Sequence, residues 1–253
     1  MGGVALVAPG GLLLALPLAY WLLTRFILAR GRPGEARRWV ALRLRPLQGA
    51  ALAWTLLAVP LLLVLSWALS AVYTGLVPVP PDSFHPFASL DDTPLQRLSI
   101  VVMAVSIAPL LEELVFRGLL QYRLERRHGP VRGIALASLL FAVIHLIPWI
   151  LPLHFALGAF FGWMVYATRS IWAGVILHTA NNAAAVLSLR EPAPPTLGPT
   201  VWAAGPTPEW WTALAVLGLA TLAAVWLGRR AREAGHGPAI DAAAHPGALA
   251  PQP

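Results

Sequence analysis

Residues 98–122 read LSIVVMAVSIAPLLEELVFRGLLQY, an apolar stretch that is long enough to cross a lipid bilayer as a helix. Three ionisable side chains, Glu112, Glu113 and Arg117, interrupt its second half. A charged group at that depth in a membrane is energetically costly, and proteins keep one there mainly for function. The stretch therefore predicts a membrane helix that carries part of a functional site.

The rest of the chain has the composition of a membrane protein. Of its 253 residues, 58% are hydrophobic and 11% are charged, whereas an ordinary soluble domain is roughly 25% charged. We expect one all-α, polytopic helical membrane domain over residues 1–233, because long apolar runs without strand alternation span a bilayer only as helices. Residues 234–253 are rich in Ala, Pro and Gly and are predicted to be a disordered C-terminal tail.

Seven apolar segments approach the length of a spanning helix. They cover residues 4–23, 49–72, 98–122, 131–147, 150–168, 171–189 and 210–227. The first is predicted to be a retained span and not a signal peptide, since no basic residue precedes it. Only Pro148 and Trp149 separate the fourth segment from the fifth. These two form either a tight helical hairpin or one broken, partly re-entrant unit.

The basic residues predict how the segments are oriented. All 18 are Arg, and seven alternating spans place fifteen of them on one side of the membrane. These are Arg25, Arg30, Arg32, Arg37, Arg38, Arg43, Arg45, Arg123, Arg126, Arg127, Arg132, Arg169, Arg229, Arg230 and Arg232. The positive-inside rule then puts the N-terminus outside and the C-terminus in the cytoplasm. The Arg-only, Ala-, Gly- and Pro-rich composition is typical of a prokaryote, which predicts its inner (plasma) membrane.

The same arginines are expected to meet anionic lipid headgroups and not nucleic acid, because they flank membrane segments and form no basic stripe with stacking aromatics. Residues 37–45 form either a short interfacial helix, with Trp39, Val40, Leu42 and Leu44 against lipid, or an irregular loop. The absence of cysteine excludes disulfides, Cys-ligated zinc and thiol nucleophiles.

Two later apolar segments carry histidines that can complete a site around Glu112. Counted from the nearest cytoplasmic arginine at about 1.5 Å per residue, Glu112 lies about 16 Å deep, His145 about 20 Å and His178 about 13 Å. The three side chains thus fall in one layer near the middle of the membrane. A desolvated Glu112 is a candidate general base or acid, and His145 opposite it can help to activate a water.

Spacing suggests roles for the remaining polar residues. Glu113 and Arg117 are placed i,i+4 in the favourable order for an ion pair, which leaves Glu112 for chemistry. In the alternative, both carboxylates share Arg117 in a purely structural network. His178 and Asn182 lie on one helical face and can hold the oxyanion of a tetrahedral intermediate.

Pro109 and a further histidine, His154, also have to be placed relative to this site. Pro109 predicts a break in the helix, so that Glu112 sits in the first turn of a new helical stretch whose free amides favour a carboxylate. The alternative is an ordinary proline kink with no role in the site. His154 lies beside the turn at Pro148 and Pro152, and we expect it to be interfacial.

Three motifs resemble those of the CPBP intramembrane proteases, which include the type II CAAX prenyl endopeptidases and bacteriocin-processing or self-immunity proteins. They are Glu-Glu-x-x-x-Arg at 112–117, Phe-x-x-x-His at 141–145 and His-x-x-x-Asn at 178–182. They follow the family's order on successive apolar segments, and the resemblance covers residues 98–189.

This resemblance implies a helical membrane peptidase in which Glu112 and His145 activate water, while His178 and Asn182 stabilise the oxyanion. Glu113, Arg117 and Phe141 match positions with supporting roles. The implied partners are the bilayer and a membrane-associated or prenylated-type peptide, cleaved near the cytoplasmic half of the membrane.

The family has also been discussed as metal-dependent. Glu112, His145 and His178 form a candidate two-His, one-Glu zinc ligand set with an open position. Using Glu112 as a ligand would remove the best base, because Glu113 points elsewhere on the helix. We therefore expect a metal-independent glutamate mechanism, with a zinc metalloprotease as the alternative.

Two other classes of function use the same residues. A non-catalytic membrane scaffold or bacteriocin-immunity protein would use the polar cluster to pin helices or bind a partner. A proton-coupled transporter would use the buried Glu and His groups to carry protons, although no internal repeat supports that class. Replacing Glu112 by Gln separates a scaffold from a peptidase, because a scaffold should tolerate this near-isosteric change.

Overall fold

The structure, a computed structural model, describes residues 21, 42–80, 94–188 and 206–235. Helix α1 is Gly49–Leu76. Helix α2 is the unbroken helical run 94–128. Two stretches of it, Met103–Ile107 and Glu113–Gln121, are π-helical. The rest is α-helical, at Pro94–Val102, Ala108–Glu112 and Tyr122–His128. Helices α3 to α6 are Pro130–Val143, Leu151–Thr168, Ile171–Ser188 and Pro208–Gly235, and a 3-10 turn at Pro148–Ile150 precedes α4. No strand occurs in these ranges, which confirms the all-α prediction for them.

Three helices are long and apolar enough to cross a membrane by length and composition. They are Gly49–Leu76, Pro148–Thr168 and Pro208–Ala234, with mean hydropathies of 2.2, 1.6 and 1.8. The apolar helices α3 and α5 are shorter, and α2 carries the ionisable residues. The count of seven spans is therefore not confirmed. Of the first predicted segment only Trp21 is described, and the predicted tail beyond 235 also lies outside the described residues.

Helices α3 and α4 pack against each other as a hairpin, the first of the two arrangements that the sequence left open. Helix α3 has 14 residues, or about 21 Å at the α-helical rise, which is shorter than a hydrocarbon core of about 30 Å. It ends four residues before the predicted boundary at 147, where the backbone tightens and Leu146 takes a left-handed φ of 55°. Helix α3 by itself is therefore shorter than a spanning helix, whereas the run Pro148–Thr168 after the turn is long enough to cross a membrane.

Helix α4 lies at the centre of the bundle and contacts α1, α3, α5 and α6. Its buried side chains Phe160, Phe161 and Met164 share one apolar core with residues of α1, α5 and α6. Helix α6 approaches closely because Gly228 has no side chain, and a Cβ there would overlap the ring of Trp163. The central position of α4 brings its polar backbone atoms within reach of α2.

The segment 42–48 is not helical, and its apolar residues do not face lipid. Leu42 and Leu44 are 3% and 4% exposed and pack against residues of α2, α4 and α5. The carbonyl of Arg43 accepts the amide of Ile171 at 2.9 Å, and the side chain of Arg43 pairs with Glu125. The interfacial-helix alternative is therefore wrong for these residues, because the segment finds backbone and apolar partners inside the protein.

These contacts also collect basic residues at one end of the bundle. The segment 42–48 meets the C-terminal end of α2 and the turn between α4 and α5, where the hydroxyl of Ser170 donates to Arg45 O at 2.8 Å. Arg232 of α6 lies 5.4 Å from the ring of Tyr166 on α4. The described loops that the sequence placed on one side of the membrane thus lie at one end of the molecule.

Candidate active site

Pro109 does not break α2, which continues through it. In the preceding π-helical stretch the amide of Ala108 donates to Met103 O, five residues back. The next acceptor in that pattern is Ala104 O, whose donor would be the nitrogen of Pro109, which has no hydrogen. Asn182 of α5 supplies the missing donor, with Nδ2 at 2.9 Å from Ala104 O. The predicted helix break before Glu112 is therefore wrong, because the π-helical stretch and Asn182 accommodate the proline.

Glu113, Arg117 and His178 form a buried group that we call the inner cluster. Nε of Arg117 lies 3.5 Å from Oε2 of Glu113, and Nδ1 of His178 lies 3.2 Å from Oε1 of the same carboxylate. Glu113 and Arg117 are fully buried, and His178 is 4% exposed. The predicted i,i+4 pair is thus present, and a third partner from α5 completes it.

Other groups fix the inner cluster on its remaining sides. The guanidinium of Arg117 donates through Nη2 to Gly158 O at 3.0 Å and lies 4.6 Å from the ring centre of Phe141. The ring of His178 stacks on Phe161 with centroids 4.9 Å apart and planes 22° apart. Gly174 contacts the carboxylate of Glu113, and a Cβ at that position would overlap Oε2. The cluster therefore has little freedom to rearrange.

Glu112 lies at the edge of the inner cluster and is more accessible than Glu113. Its side chain is 25% exposed, and its Oε2 lies 3.8 Å from Nε2 of His178. That oxygen has no hydrogen-bond partner among the described residues. The two glutamates thus approach different nitrogens of one imidazole, and only Glu112 can be reached from outside.

His145 lies beyond the end of α3, in residues 144–147, which we call the histidine turn. Its backbone amide donates to Ala142 O at 3.3 Å, so the carbonyl of Phe141 is left to accept from Nδ1 of the His145 ring at 2.8 Å. A carbonyl oxygen only accepts hydrogen bonds, so Nδ1 carries a hydrogen. When the ring is neutral, Nε2 therefore has a free lone pair. The ring of Phe141 contacts both His145, at 4.8 Å, and His178, at 5.6 Å.

The structure thus places the predicted site residues in three connected groups. Glu113 contacts Arg117 and His178, and His178 also approaches Glu112. Phe141 joins this group to His145, and Asn182 binds the backbone of α2 at Ala104. One of the two amide hydrogens of Asn182 is therefore already used.

His154 belongs beside the site, although its position near two prolines suggested an interfacial residue. Its ring lies 4.1 Å from that of His145, with the planes 36° apart, and its Nδ1 lies 3.1 Å from Ile150 O. Its side chain is half-buried. No spacing rule could have identified this contact, because it depends on how the irregular turn between α3 and α4 folds back.

Gln121 is a second residue that the sequence analysis missed. It is fully buried, and its Nε2 donates to Gly162 O at 2.9 Å and to Glu125 Oε1 at 2.7 Å. A spacing signal did exist, since Glu113, Arg117, Gln121 and Glu125 follow each other at i,i+4. Gly158 and Gly162, whose carbonyls accept from Arg117 and Gln121, show the matching Gly-x-x-x-Gly spacing.

Two of the three candidate zinc ligands, His145 and His178, already bind other groups of the protein through Nδ1. Among the ranges that the structure describes, no group of three or more His, Cys, Asp or Glu side chains is placed to hold a metal ion. Nδ1 of His178 is directed to Glu113, and Nδ1 of His145 to a backbone carbonyl. The choice between a metal-independent glutamate mechanism and the zinc alternative therefore stays a prediction.

Comparison with known proteins gives one match. Residues 94–184 match a family model described as type II CAAX prenyl endopeptidase Rce1-like, and this segment contains all three motifs. No curated protein and no solved structure matches the chain. The apolar helices and the family match together indicate an integral membrane protein. Residues 94–184 are therefore similar to the Rce1-like type II CAAX prenyl endopeptidases.

Proposed function

We propose that the protein is an intramembrane endopeptidase that uses Glu112 as a general base to hydrolyse a peptide bond in a membrane-associated peptide of the CAAX type. The observation that carries this proposal is the unequal environment of two adjacent glutamates around one histidine. Glu113 is closed off by Arg117 and His178, whereas the side chain of Glu112 is 25% exposed and its buried Oε2 has no hydrogen-bond partner among the described residues. A reachable carboxylate beside a fixed polar framework is what water activation requires.

The proposed reaction uses one water and returns one proton. Glu112 takes a proton from water, and the water oxygen bonds to the carbonyl carbon of the substrate. The carbon–nitrogen bond then breaks, and Glu112 delivers the proton to the departing amine. Nε2 of His145, as a lone pair in the neutral ring, serves as the second acceptor that holds the attacking water.

The developing oxyanion is assigned to His178 and Asn182. His178 can donate from Nε2 in its imidazolium form, in which Nδ1 donates to Glu113. Asn182 retains one amide hydrogen beyond the one that binds Ala104 O. Donors fixed by neighbouring groups need no reorganisation when charge develops, which is the basis of oxyanion-hole stabilisation.

The membrane arrangement extends the same proposal. We assign seven spans with the N-terminus outside, the C-terminus in the cytoplasm and the arginine-rich end of the bundle facing the cytoplasm of a prokaryotic cell. Gathering of Arg43, Arg45 and Arg232 at one end supports this orientation. Cysteine-scanning accessibility from each side of the membrane would test it, and labelling of residue 230 only from outside would contradict it.

The catalytic assignment is tested with Glu112→Gln. Cells with the wild-type chain or the variant, at matched protein levels, are compared by mass spectrometry of membrane and released peptide termini. We expect termini that depend on Glu112 and a rate lower by about 10²–10⁴-fold in the variant, the usual contribution of a general base. Identical profiles with a surviving wild-type phenotype would instead support a scaffold or immunity protein.

A chelator titration of the purified protein tests the mechanism class. The metal-independent proposal predicts that 1,10-phenanthroline leaves the cleavage rate unchanged, with its non-chelating isomer as the matched control. Loss of activity with the chelator alone, and recovery on adding zinc, would replace the glutamate mechanism by a metalloprotease.

A further inference from the structure

His145 is the one member of the proposed catalytic group that no helix holds. Glu112, His178 and Asn182 lie within α2 and α5, whereas His145 lies in the histidine turn after α3 has ended. The turn contains Leu146 in a left-handed conformation, which is uncommon for a branched apolar residue. The side chain of Leu146 is 83% exposed. The position of the His145 ring therefore depends on side-chain contacts and not on regular backbone.

Three contacts define that position. Nδ1 binds Phe141 O at 2.8 Å, the Phe141 ring lies 4.8 Å away at 66°, and the His154 ring lies 4.1 Å away at 36°. The first two come from the helix that precedes the turn. His154 is the partner on the far side of the turn, because it belongs to the first part of α4.

His154 is itself held in place. Its Nδ1 donates a hydrogen bond to the carbonyl of Ile150 at 3.1 Å, and its ring lies 6.5 Å from the ring of Phe141. The two histidines thus repeat one arrangement, in which each ring is oriented through Nδ1 by the carbonyl four residues earlier. An aromatic ring that is oriented in this way is a rigid surface for its neighbour.

We propose that His154 is a positioning residue. Its ring packs against the ring of His145 and so fixes the orientation of His145 for water activation. The inference rests on the proposed function, since it assigns the second histidine of the turn a task in that same reaction. His154 contributes no proton and touches no reacting atom. Its contact closes the turn between α3 and α4, so that Nε2 of His145 keeps one direction while substrate and water bind.

Kinetics of His154→Ala and His154→Phe test the proposal. The assay uses an internally quenched, farnesylated peptide ending in a Cys-a-a-X sequence, in lipid vesicles that contain the full chain. We expect Ala to lower kcat about tenfold with little change in KM, as a loosened catalytic group does, and Phe to restore most of the rate because a planar ring remains. His128→Ala, at an exposed site on the end of α2, is the matched control.

A double variant separates positioning from a general structural role. If His154 acts through His145, adding His154→Ala to His145→Ala lowers the residual rate no further. An equal additional loss in both backgrounds would overturn the proposal, as would a wild-type kcat for His154→Ala or a failure of Phe to do better than Ala.

A chemical readout keeps the test independent of activity. Diethylpyrocarbonate modifies accessible neutral imidazoles, and mass spectrometry reports each histidine separately. We expect His145 to react several-fold faster in His154→Ala than in the wild type or His154→Phe, with His128 unchanged, because a released ring is more accessible. Equal His145 rates in all three would overturn the inference. If the wild type cleaves nothing while these rates differ, the proposed function fails and the positioning contact stands.

Discussion

The inner cluster and the histidine turn hold their imidazoles in opposite ways. His178 lies within a helix, is nearly fully buried and is held by a carboxylate that is itself paired with Arg117. His145 lies outside a helix, is half-buried and is held by a backbone carbonyl and two aromatic rings. One side of the site thus holds its imidazole through a network of charged side chains, whereas the other side holds its imidazole through a backbone carbonyl and aromatic rings.

The largest loss of stability is expected from a substitution that removes one charge from the inner cluster. Glu113→Gln leaves the fully buried guanidinium of Arg117 without its carboxylate, so we expect the free energy of unfolding to fall by about 3–5 kcal/mol. Glu112→Gln is the matched control on the neighbouring residue and should change stability by less than about 1 kcal/mol. Unfolding in detergent micelles measures both, and equal losses would show that the two glutamates are not distinguished by their surroundings.

Replacing each histidine by Phe compares the two regions directly. The substitution keeps a planar ring, so it isolates the hydrogen bond at Nδ1. We expect His178→Phe to lower the free energy of unfolding by about 2 kcal/mol, because Glu113 loses a partner while buried. His145→Phe should lower it by less than about 1 kcal/mol, since its bond to the carbonyl of Phe141 is neutral and only partly buried. The reverse order would mean that the turn, and not the cluster, stabilises the fold.

A smaller effect is expected from crowding the inner cluster without changing its charge. Gly174→Ala places a Cβ against the carboxylate of Glu113 and a methyl group of Val165, and should cost about 1–3 kcal/mol. Gly218→Ala in α6 meets no atom within 4 Å and should be neutral or slightly stabilising, because Ala favours helix over Gly. Melting temperatures of the two variants decide this, and a stable Gly174→Ala would show that the cluster can shift.

The smallest effect concerns the support that α5 gives to α2. Asn182→Leu removes the donor to Ala104 O, and we expect a loss of about 1–2 kcal/mol together with faster amide exchange around the π-helical stretch. Asn181→Leu, on a different helical face, is the control. If exchange near residues 103–109 is the same in both variants, Asn182 does not replace the hydrogen bond that Pro109 lacks.

Much of this architecture follows from hydropathy and spacing alone. Every predicted segment inside the described residues coincides with a helix, because long apolar runs leave few alternatives, and the pair of Glu113 and Arg117 follows from i,i+4 spacing. The ends were less predictable. Helix α3 ends early, at Val143, because its last turn tightens. No residue type in 140–147 predicts this tightening.

The features that escaped prediction depend on contacts between distant segments. The burial of Leu42 and Leu44 depends on a pocket that α2, α4 and α5 form together. The contact of His154 with His145 depends on an irregular turn. The π-helical stretches arise where Pro109 and a row of polar residues must be accommodated, and a helical wheel drawn at 3.6 residues per turn does not register them.

The acceptors for Arg117 and Gln121 on α4 are backbone carbonyls of two glycines, and this has a consequence for biosynthesis. Helix α4 accepts hydrogen bonds from Arg117 and Gln121 through its backbone and has no charged side chain of its own. It is therefore apolar enough to enter a membrane as an independent span. Helix α2 carries the two carboxylates and the guanidinium of the site, Glu112, Glu113 and Arg117, and lacks that independence. We therefore expect stable insertion of α2 to depend on α4, although α4 is synthesised later, so that the site is assembled only when the second helix arrives.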